Sequence, residues 1–233
     1  MRTVLLVPRR ADGGIRDRLW EFCRDVWRTE HPSFEIFEGH HNADEGLFNR
    51  SMAVNRAAEA AGDFDTAVVI DSDILIHRDN VRAGLALVER FNRVVFPFRV
   101  YQSLSQNGTS RIMAGWKGDW LTVAAKAYWD SVSCVVMVPR ALWDQVGGFD
   151  ERFVGWGWED TAFACATDAV SGRLRLEGTL WHLWHPQSPE RNTKTVEYKA
   201  SYRLALQYRH ATHVGWDAML DVLTQPGGPL DPA

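Results

Sequence analysis

Two pairs of carboxylates stand out in this sequence because of the residues around them. Asp71 and Asp73 come directly after the apolar run 67–70, and Glu159 and Asp160 follow a stretch of glycines and tryptophans. Two aspartates separated by one residue at a strand end can present oxygens to Mg²⁺ or Mn²⁺, whose other ligands are often phosphate oxygens. A carboxylate in an aromatic, partly dry pocket can accept a proton from a hydroxyl. Taken singly, both pairs also fit acids that end a strand or serve a helix dipole.

Two histidines offer further ligand atoms. His182 and His185 lie in a segment that also contains Trp181 and Trp184. Their spacing places both imidazoles on one side of a helical turn or of a bent strand end. Neutral imidazoles can complete a metal shell begun by Asp73, and Mn²⁺ accepts mixed oxygen and nitrogen ligands. Each histidine alone fits a partly buried residue packed among tryptophans, so the metal site is predicted from the combination.

Three arginines near predicted strand and helix ends indicate a phosphate site. Arg9 and Arg10 follow Pro8 at the end of the first apolar run, and Arg50 comes shortly after Phe48. Guanidinium groups pair well with a diphosphate, and the ring of Phe48 could stack on a base. The spacing fits equally a solvated Arg50 and a phenylalanine of the core, and the residues alone do not separate the two interpretations.

The pattern of apolar residues in the first hundred positions predicts alternating strands and helices. Strands are predicted over 3–7, 34–37, 66–70 and 94–98, and helices over 12–28, 47–61 and 80–91. This order is typical of an α/β fold with a parallel sheet flanked by helices, in which ligands bind at the carboxyl ends of the strands. Residues 8–10, the predicted loop 39–42 and residues 71–73 all fall at such ends.

The second half of the chain is predicted to border the site with loops. Positions 102–118 lack periodicity and are rich in small polar residues, which indicates a mobile loop. A lid loop is predicted over 186–195. Strands are predicted over 131–138 and 173–184, and helices over 140–146, 159–170, 196–210 and 216–223.

The composition argues against several classes of function. The net charge is −4, so no basic face for nucleic acid is expected. The three cysteines indicate neither a disulfide framework nor a zinc site, and no apolar run is long enough for a signal peptide or a membrane span. We therefore expect a soluble, cytoplasmic protein. Eleven tryptophans are many for this length, and several are expected in or around a groove.

Taken together, these segments resemble nucleotide-sugar glycosyltransferases of the GT-A fold, in particular the β-1,4-galactosyltransferases. The matches follow in chain order: 7–10 resembles the family's Pro-x-Arg region, 48–55 its FNRAKLLN segment, 71–73 its D-V-D motif, 155–160 its G-W-G-G-E-D motif, and the pair His182 and His185 its Met-x-x-His metal pair. Segment 147–150 also resembles chondroitin-type and polypeptide N-acetylgalactosaminyl enzymes. Two positions depart from the pattern, since His182 stands in place of a methionine and Trp158 in place of a glycine.

The resemblance implies a GT-A fold with a Rossmann-like, mostly parallel sheet, a Mn²⁺ or Mg²⁺ ion and a UDP-sugar donor. It implies the metal ligands Asp73, His185 and His182, with Asp71 contacting the ribose or supporting the metal shell. The donor would lie against Pro8, Arg9, Arg10, Phe48, Arg50, Asp71, Ser72 and Asp73. Asp160 would be the general base, and the acceptor would contact Trp156, Gly157, Trp158 and Glu159.

One catalytic domain is predicted over 1–213, with a nucleotide-binding half over about 1–100 and an acceptor-binding half over about 101–213, followed by a C-terminal helix and frayed tail over 214–233. The predicted function is transfer of galactose, glucose or an N-acetylated form from a UDP-sugar to a hydroxyl of a glycan or protein, with inversion. The alternatives are a retaining transferase, a non-catalytic carbohydrate-binding module and a metal-dependent phosphohydrolase. The family's membrane anchor is not expected, as in a soluble bacterial or viral form.

Overall fold

The computed structural model describes residues 1–225 and has ten strands and eight α-helices in that range. The strands are β1 (Thr3–Arg9), β2 (Glu35–His40), β3 (Thr66–Ile70), β4 (Ile74–Ile76), β5 (Val94–Phe96), β6 (Val100–Leu104), β7 (Ala124–Trp129), β8 (Val135–Pro139), β9 (Arg173–Arg175) and β10 (Thr179–His182). The helices are α1 (Ile15–Glu30), α2 (Arg50–Ala61), α3 (Arg78–Phe91), α4 (Gln106–Met113), α5 (Arg140–Val146), α6 (Glu159–Ser171), α7 (Val196–Val214) and α8 (Trp216–Leu223). Most of the predicted frayed tail lies outside the described residues.

Six strands form a central sheet in the order β2-β1-β3-β8-β5-β9. β1 pairs in parallel with β2 and β3, β5 pairs in parallel with β9, and β8 runs antiparallel to both of its neighbours. Residues 4–7 of β1 are fully buried, as expected for a continuous apolar run in a strand that is covered on both faces. The predicted α/β fold with a mostly parallel sheet is confirmed. Within residues 1–225, no helix is both long enough and apolar enough to cross a bilayer.

A second sheet of four strands brings the late histidines to the early aspartates. Its order is β4-β10-β6-β7. β10 runs antiparallel to β4, with His182 opposite Ile74. The backbone N–H of Leu183 donates to the carbonyl oxygen of Asp73 at 2.9 Å. This pairing fixes the turn after β3 against the end of β10.

The predicted mobile loop over 102–118 is wrong for most of its length. The structure has the end of β6 and the whole of α4 in this segment. Ser105 caps α4 by accepting a hydrogen bond from the N–H of Gly108, and a Cβ at Gly108 would lie 2.7 Å from the side chain of Val123. The small polar residues therefore serve capping and close packing. Their composition alone suggested a loop because the same residues are common in both settings.

Other predicted boundaries also differ from the structure. The predicted strand 173–184 is two strands, β9 and β10, that belong to different sheets. The predicted strand 131–138 begins only at Val135, since Cys134 before it has a φ of 77° that no strand accommodates. His40, predicted in a loop, ends β2.

Helix α2 packs on β1 and β2 and fixes Arg50, its first residue. The side chain of Asn49 caps the helix by accepting a hydrogen bond from the N–H of Met52 at 2.9 Å. Gly39 of β2 permits the close approach, because a Cβ there would lie 1.7 Å from the carbonyl oxygen of Ala53. The position of a predicted site residue thus depends on one glycine in the neighbouring strand.

Gly39→Ala is expected to destabilise the fold, because the helix backbone that meets the new Cβ cannot move without disturbing its own hydrogen bonds. Overpacking costs roughly 1–3 kcal/mol and more where the backbone must shift. Thermal or urea unfolding measures the loss. Glu59→Ala, at an exposed position of the same helix α2, is the control. A loss in Gly39→Ala no larger than in the control contradicts the packing argument.

Candidate active site

One groove of about 1330 Å³ runs along the carboxyl ends of β1 and β3. Every residue predicted for the site contributes to its lining, namely Pro8, Arg9, Arg10, Phe48, Arg50, Asp71, Ser72, Asp73, Trp156, Gly157, Trp158, Glu159, Asp160, His182 and His185. The volume exceeds that of an ordinary pocket for one small molecule, so the groove has room for two substrates side by side.

Asp73, His182 and His185 form a cluster of potential metal ligands. Nε2 of His185 lies 3.1 Å from Oδ2 of Asp73, and Nε2 of His182 lies 3.7 Å from the same oxygen. One ligand atom from each residue lies within 4.8 Å of the other two. Nδ1 of His185 lies 2.7 Å from the carbonyl oxygen of Pro186. Because a carbonyl only accepts, Nδ1 carries a proton and Nε2 is the atom left for a ligand.

The charges in this cluster suit a divalent cation. Burial opposes ionisation of Asp73, but attraction to His182 and the hydrogen bond with His185 outweigh it and hold the pKa of Asp73 well below its usual range. Burial lowers the pKa of His182. Burial opposes the shift at His185, but the hydrogen bond to Asp73 and the charge of that carboxylate raise the pKa of this second imidazole. One carboxylate and two imidazoles at this spacing fit the mixed oxygen and nitrogen ligation that Mn²⁺ accepts.

Arg50 joins the strand-end acids to the predicted base. Its Nε donates to Oδ1 of Asp71 at 2.8 Å, and its Nη1 donates to Oδ1 of Asp160 at 2.8 Å. Arg50 is only 9% exposed, so both ion pairs are largely shielded from water. Asp71 is therefore engaged by Arg50 and stands outside the ligand cluster of Asp73. The guanidinium group of Arg50 therefore bridges Asp71 of the first acidic motif and Asp160 of the second.

Glu159 and Asp160 begin α6 inside the groove. Burial raises the pKa of Asp160 to about 8 although Arg50 opposes the shift, and the nearby Glu159 and Asp71 add to it. Burial also raises the pKa of Glu159, whose Oε2 is buried without a hydrogen-bond partner among the described residues. A carboxyl group with a pKa near the working pH is well matched to proton transfer.

Unusual backbone torsions aim this pair of carboxylates. Gly155 and Gly157 have φ values of 80° and 101°, and Trp158 has a φ of 82° at the N-cap of α6. The N–H of Gly155 donates to the carbonyl oxygen of Phe48 at 3.0 Å, which ties this loop to the start of α2. The indole of Trp158 packs on Tyr202 of α7, with ring centroids 4.9 Å apart. A bulky residue in the left-handed region is strained, and this one lies directly before the two predicted acceptor-site carboxylates.

Trp156 provides an exposed aromatic surface at the same place. It is 39% exposed and stacks nearly parallel to Tyr198 at 5.8 Å between centroids. The guanidinium carbon of Arg191 lies 4.6 Å from the Trp156 ring centroid. The sequence did not point to Tyr198 or Arg191, because nothing in the periodicity of α7 or in the preceding loop says which side chains face the groove.

Arg9 and Arg10 are engaged by acids of the protein itself. Arg9 pairs with Asp17, and its Nη1 donates to Glu38 at 3.0 Å. Arg10 donates through Nη1 to Oε1 of Glu190 at 2.9 Å. Both guanidinium groups line the groove at its edge, with their charges already matched.

Glu190 fastens the predicted lid loop across the groove. Besides Arg10, it accepts a hydrogen bond from the backbone N–H of Phe48 at 3.1 Å. Nε of Arg10 donates in turn to the carbonyl oxygen of His41 at 3.1 Å. Three loops thus meet at one guanidinium group. Sequence reasoning missed Glu190, because an acid in a loop gives no local sign of a partner so far away along the chain.

Comparisons with known proteins show which part of this chain resembles a described family. A family model described as the N-terminal domain of galactosyltransferase matches residues 124–172, which contain Glu159 and Asp160. A search of curated proteins finds no significant match.

Solved structures of glycosyltransferases resemble the whole fold. The catalytic domain of Drosophila β1,4-galactosyltransferase 7 in complex with xylobiose has a TM-score of 0.53 at 19% identity, over 92% of this chain and 82% of that one. A mutant of the same enzyme in complex with manganese, UDP-Gal and xylobiose has a TM-score of 0.51 at 19% identity, over 83% and 74%. S. aureus TarS in complex with UDP-GlcNAc has a TM-score of 0.59 at 10% identity, over 96% and 70%.

These findings confirm the predicted GT-A fold and the resemblance to glycosyltransferases of that fold. At sequence identities of 10–19%, the similarity to these structures supports the fold and nothing finer. The family-model match adds sequence support for an enzyme of the glycosyltransferase class, within the segment that begins at β7 and ends after α6.

Proposed function

We propose that this chain is a metal-dependent, inverting glycosyltransferase that moves a hexose from a UDP-sugar to an acceptor hydroxyl. The observation that carries the proposal is the convergence of two chemical groups in one groove. A three-residue ligand cluster (Asp73, His182 and His185) lies beside a carboxyl group, Asp160, whose pKa is raised to about 8. A carbohydrate-binding module would need neither group.

Asp73, His182 and His185 are the residues that would hold the cation. When bound, the ion would offset the negative charge that develops on the departing diphosphate. Ser72 and Asp71 lie beside the cluster, and Arg50 orients the Asp71 carboxylate by a hydrogen bond. The donors UDP-Gal and UDP-GlcNAc of the similar solved structures support a UDP-sugar here, with Mn²⁺ as the ion of first choice.

Asp160 is the proposed general base. It would accept the proton of the acceptor hydroxyl as that oxygen attacks the anomeric carbon from the face opposite the diphosphate. Arg50 holds one oxygen of the Asp160 carboxylate at 2.8 Å and so fixes the direction of the group. The acceptor oxygen attacks one face of the anomeric carbon and the diphosphate leaves from the opposite face. A single displacement of this kind inverts the anomeric centre.

The proposed acceptor site is the wall formed by residues 155–159. Trp156 offers an exposed face on which a sugar ring can stack, and the unpartnered Oε2 of Glu159 can accept a hydrogen bond from a sugar hydroxyl. Xylobiose in a similar solved structure supports a glycan acceptor, with a protein side chain as the alternative. The loop 186–195, fastened by Glu190, would limit access of water to the donor.

A panel of UDP-sugars with Mn²⁺ tests the proposal. We expect UDP to raise the melting temperature when Mn²⁺ is present, and at least one UDP-hexose to be consumed faster when an acceptor glycan is added. NMR of the product linkage reads out the anomeric configuration, and a product with the donor's configuration would overturn the inverting mechanism. Donor cleavage that no acceptor diverts into transfer would point to a phosphohydrolase.

A further inference from the structure

The two histidines of the metal-ligand cluster lie on a segment that leaves its sheet between them. β10 pairs in parallel with β6, and the last pair in this register is His182 opposite Ser103. β6 ends at Leu104, so this ladder offers no further strand partner to the residues that follow His182. Backbone N–H groups that are shielded from water need an acceptor elsewhere. The place of His185 depends on where the segment finds those acceptors.

Thr109 of α4 supplies one of them. Its Oγ1 accepts a hydrogen bond from the backbone N–H of Trp184 at 2.7 Å, and its side chain is only 3% exposed. The N–H of Leu183, one residue earlier, is already held by the carbonyl oxygen of Asp73. Trp184 directly precedes His185, whose Nε2 lies 3.1 Å from Oδ2 of Asp73. The hydroxyl of Thr109 thus takes the part of a strand partner and fixes the backbone between the two histidines.

Helix α4 is itself held firmly, so this hydroxyl has little freedom to move. The N–H of Ser105, the N-cap of α4, donates to the carbonyl oxygen of Val123 at 3.0 Å. The close packing of Gly108 against Val123 fixes the first turn, and Ile112 buries the same helix in the core. A hydrogen bond from a rigid helix constrains the segment that it contacts. The segment constrained here is the one that carries two of the three potential ligands.

We propose that Thr109 is a positioning residue of the metal-ligand cluster. Its side chain does not line the groove, so it acts through the backbone of Trp184 and, through that, on His182 and His185. The inference rests on the proposed function, because it takes these histidines and Asp73 to bind a divalent cation. Ligands that are held in place before binding bind an ion more tightly, since less order has to be imposed when the ion arrives.

The test is calorimetric titration of the whole chain with Mn²⁺, without nucleotide. Two pairs of proteins differ mainly by the hydroxyl: the natural chain against Thr109→Val, and Thr109→Ser against Thr109→Ala. We expect the member with the hydroxyl to bind Mn²⁺ about tenfold more tightly in each pair, as for loss of a hydrogen bond that orients a metal ligand. Thr109→Ser should keep most of the natural affinity. If the valine variant does not fold, the serine and alanine variants decide the question.

Thr167→Val controls for the loss of a buried hydroxyl. Thr167 is fully buried in α6, does not line the groove, and donates through Oγ1 to the carbonyl oxygen of Phe163 at 3.1 Å. Its replacement should leave the affinity for Mn²⁺ unchanged. All titrations are run well below the melting temperature of each metal-free protein, so that a general loss of stability does not alter the affinity of the folded state.

The outcomes separate this role from the proposed function. If the natural chain binds Mn²⁺ and both variants without the hydroxyl bind it equally well, the role of Thr109 is refuted while the proposed function stands. An equal loss of affinity in Thr167→Val also refutes it, because the effect is then not specific to the segment of the histidines. If the natural chain binds no Mn²⁺, even with UDP present, the proposed metal-dependent function fails and this role fails with it.

Discussion

Asp160→Asn should lower the rate of sugar transfer by roughly 10²–10⁴-fold, the usual contribution of a positioned base. The amide keeps the shape of the side chain and can still accept from Arg50, but it cannot take up the proton of the acceptor hydroxyl. UDP binding with Mn²⁺ should change little, because Asp160 lies outside the ligand cluster. Initial rates measured at saturating donor, together with a UDP titration, check both expectations.

A change elsewhere on the same helix controls for the loss of charge. Asp168 also belongs to α6 and also pairs with an arginine, Arg173, but it does not line the groove. Asp168→Asn should therefore transfer sugar at close to the natural rate. Equal activity in Asp160→Asn and the natural chain would remove Asp160 from the mechanism. A parallel loss in both variants would instead trace the effect to α6 as a whole.

The pH profile of the natural chain gives an independent view of the same group. A base acts only when it is ionised, and burial raises the pKa of Asp160 to about 8. The value of kcat/KM is therefore expected to rise with pH through this region and to fall about tenfold per unit below it. A profile that stays flat from about pH 6 to pH 9 argues against a base whose pKa is raised in this way.

The places of the proposed site residues in the fold could be predicted largely because these residues lie at the ends of strands and helices. Asp71 and Asp73 follow a fully buried strand, and the edge of a parallel sheet at which such strands end is shared by their neighbours. The glycines before Glu159 signalled a sharp turn into a helix. These are local patterns, and a local pattern can be recognised without knowing what lies across the groove.

The connections between these groups could not be predicted in the same way. The bridge from Arg50 to Asp160 and the fastening of Glu190 to Arg10 join residues far apart in the chain, and each partner alone fits an ordinary surface charge. Helix α4 could not be predicted, because its small polar residues are common in loops as well as at helix caps.

Asp73→Asn is expected to remove the effect of Mn²⁺ on the protein. In the natural chain, Mn²⁺ with UDP should raise the melting temperature, because the ligands bind the folded state and not the unfolded one. Asp73 is the charged member of the cluster, 6% exposed and 3.1 Å from His185, and two neutral imidazoles without it hold a divalent cation poorly. The rise in melting temperature should vanish, and transfer should fall by at least about 100-fold, since metal assistance is worth several kcal/mol.

A carboxylate away from the groove shows whether the loss is specific. Asp63 is fully exposed and lies before β3, at the end of the strand opposite to Asp73. Asp63→Asn should therefore keep the full response to Mn²⁺. His182 and His185 belong to the same cluster, so His185→Gln should reduce the Mn²⁺ response while leaving the Asp73 carboxylate in place. If Asp73→Asn titrates with Mn²⁺ as the natural chain does, the ion binds elsewhere. The groove would then have to stabilise the leaving diphosphate with its arginines alone.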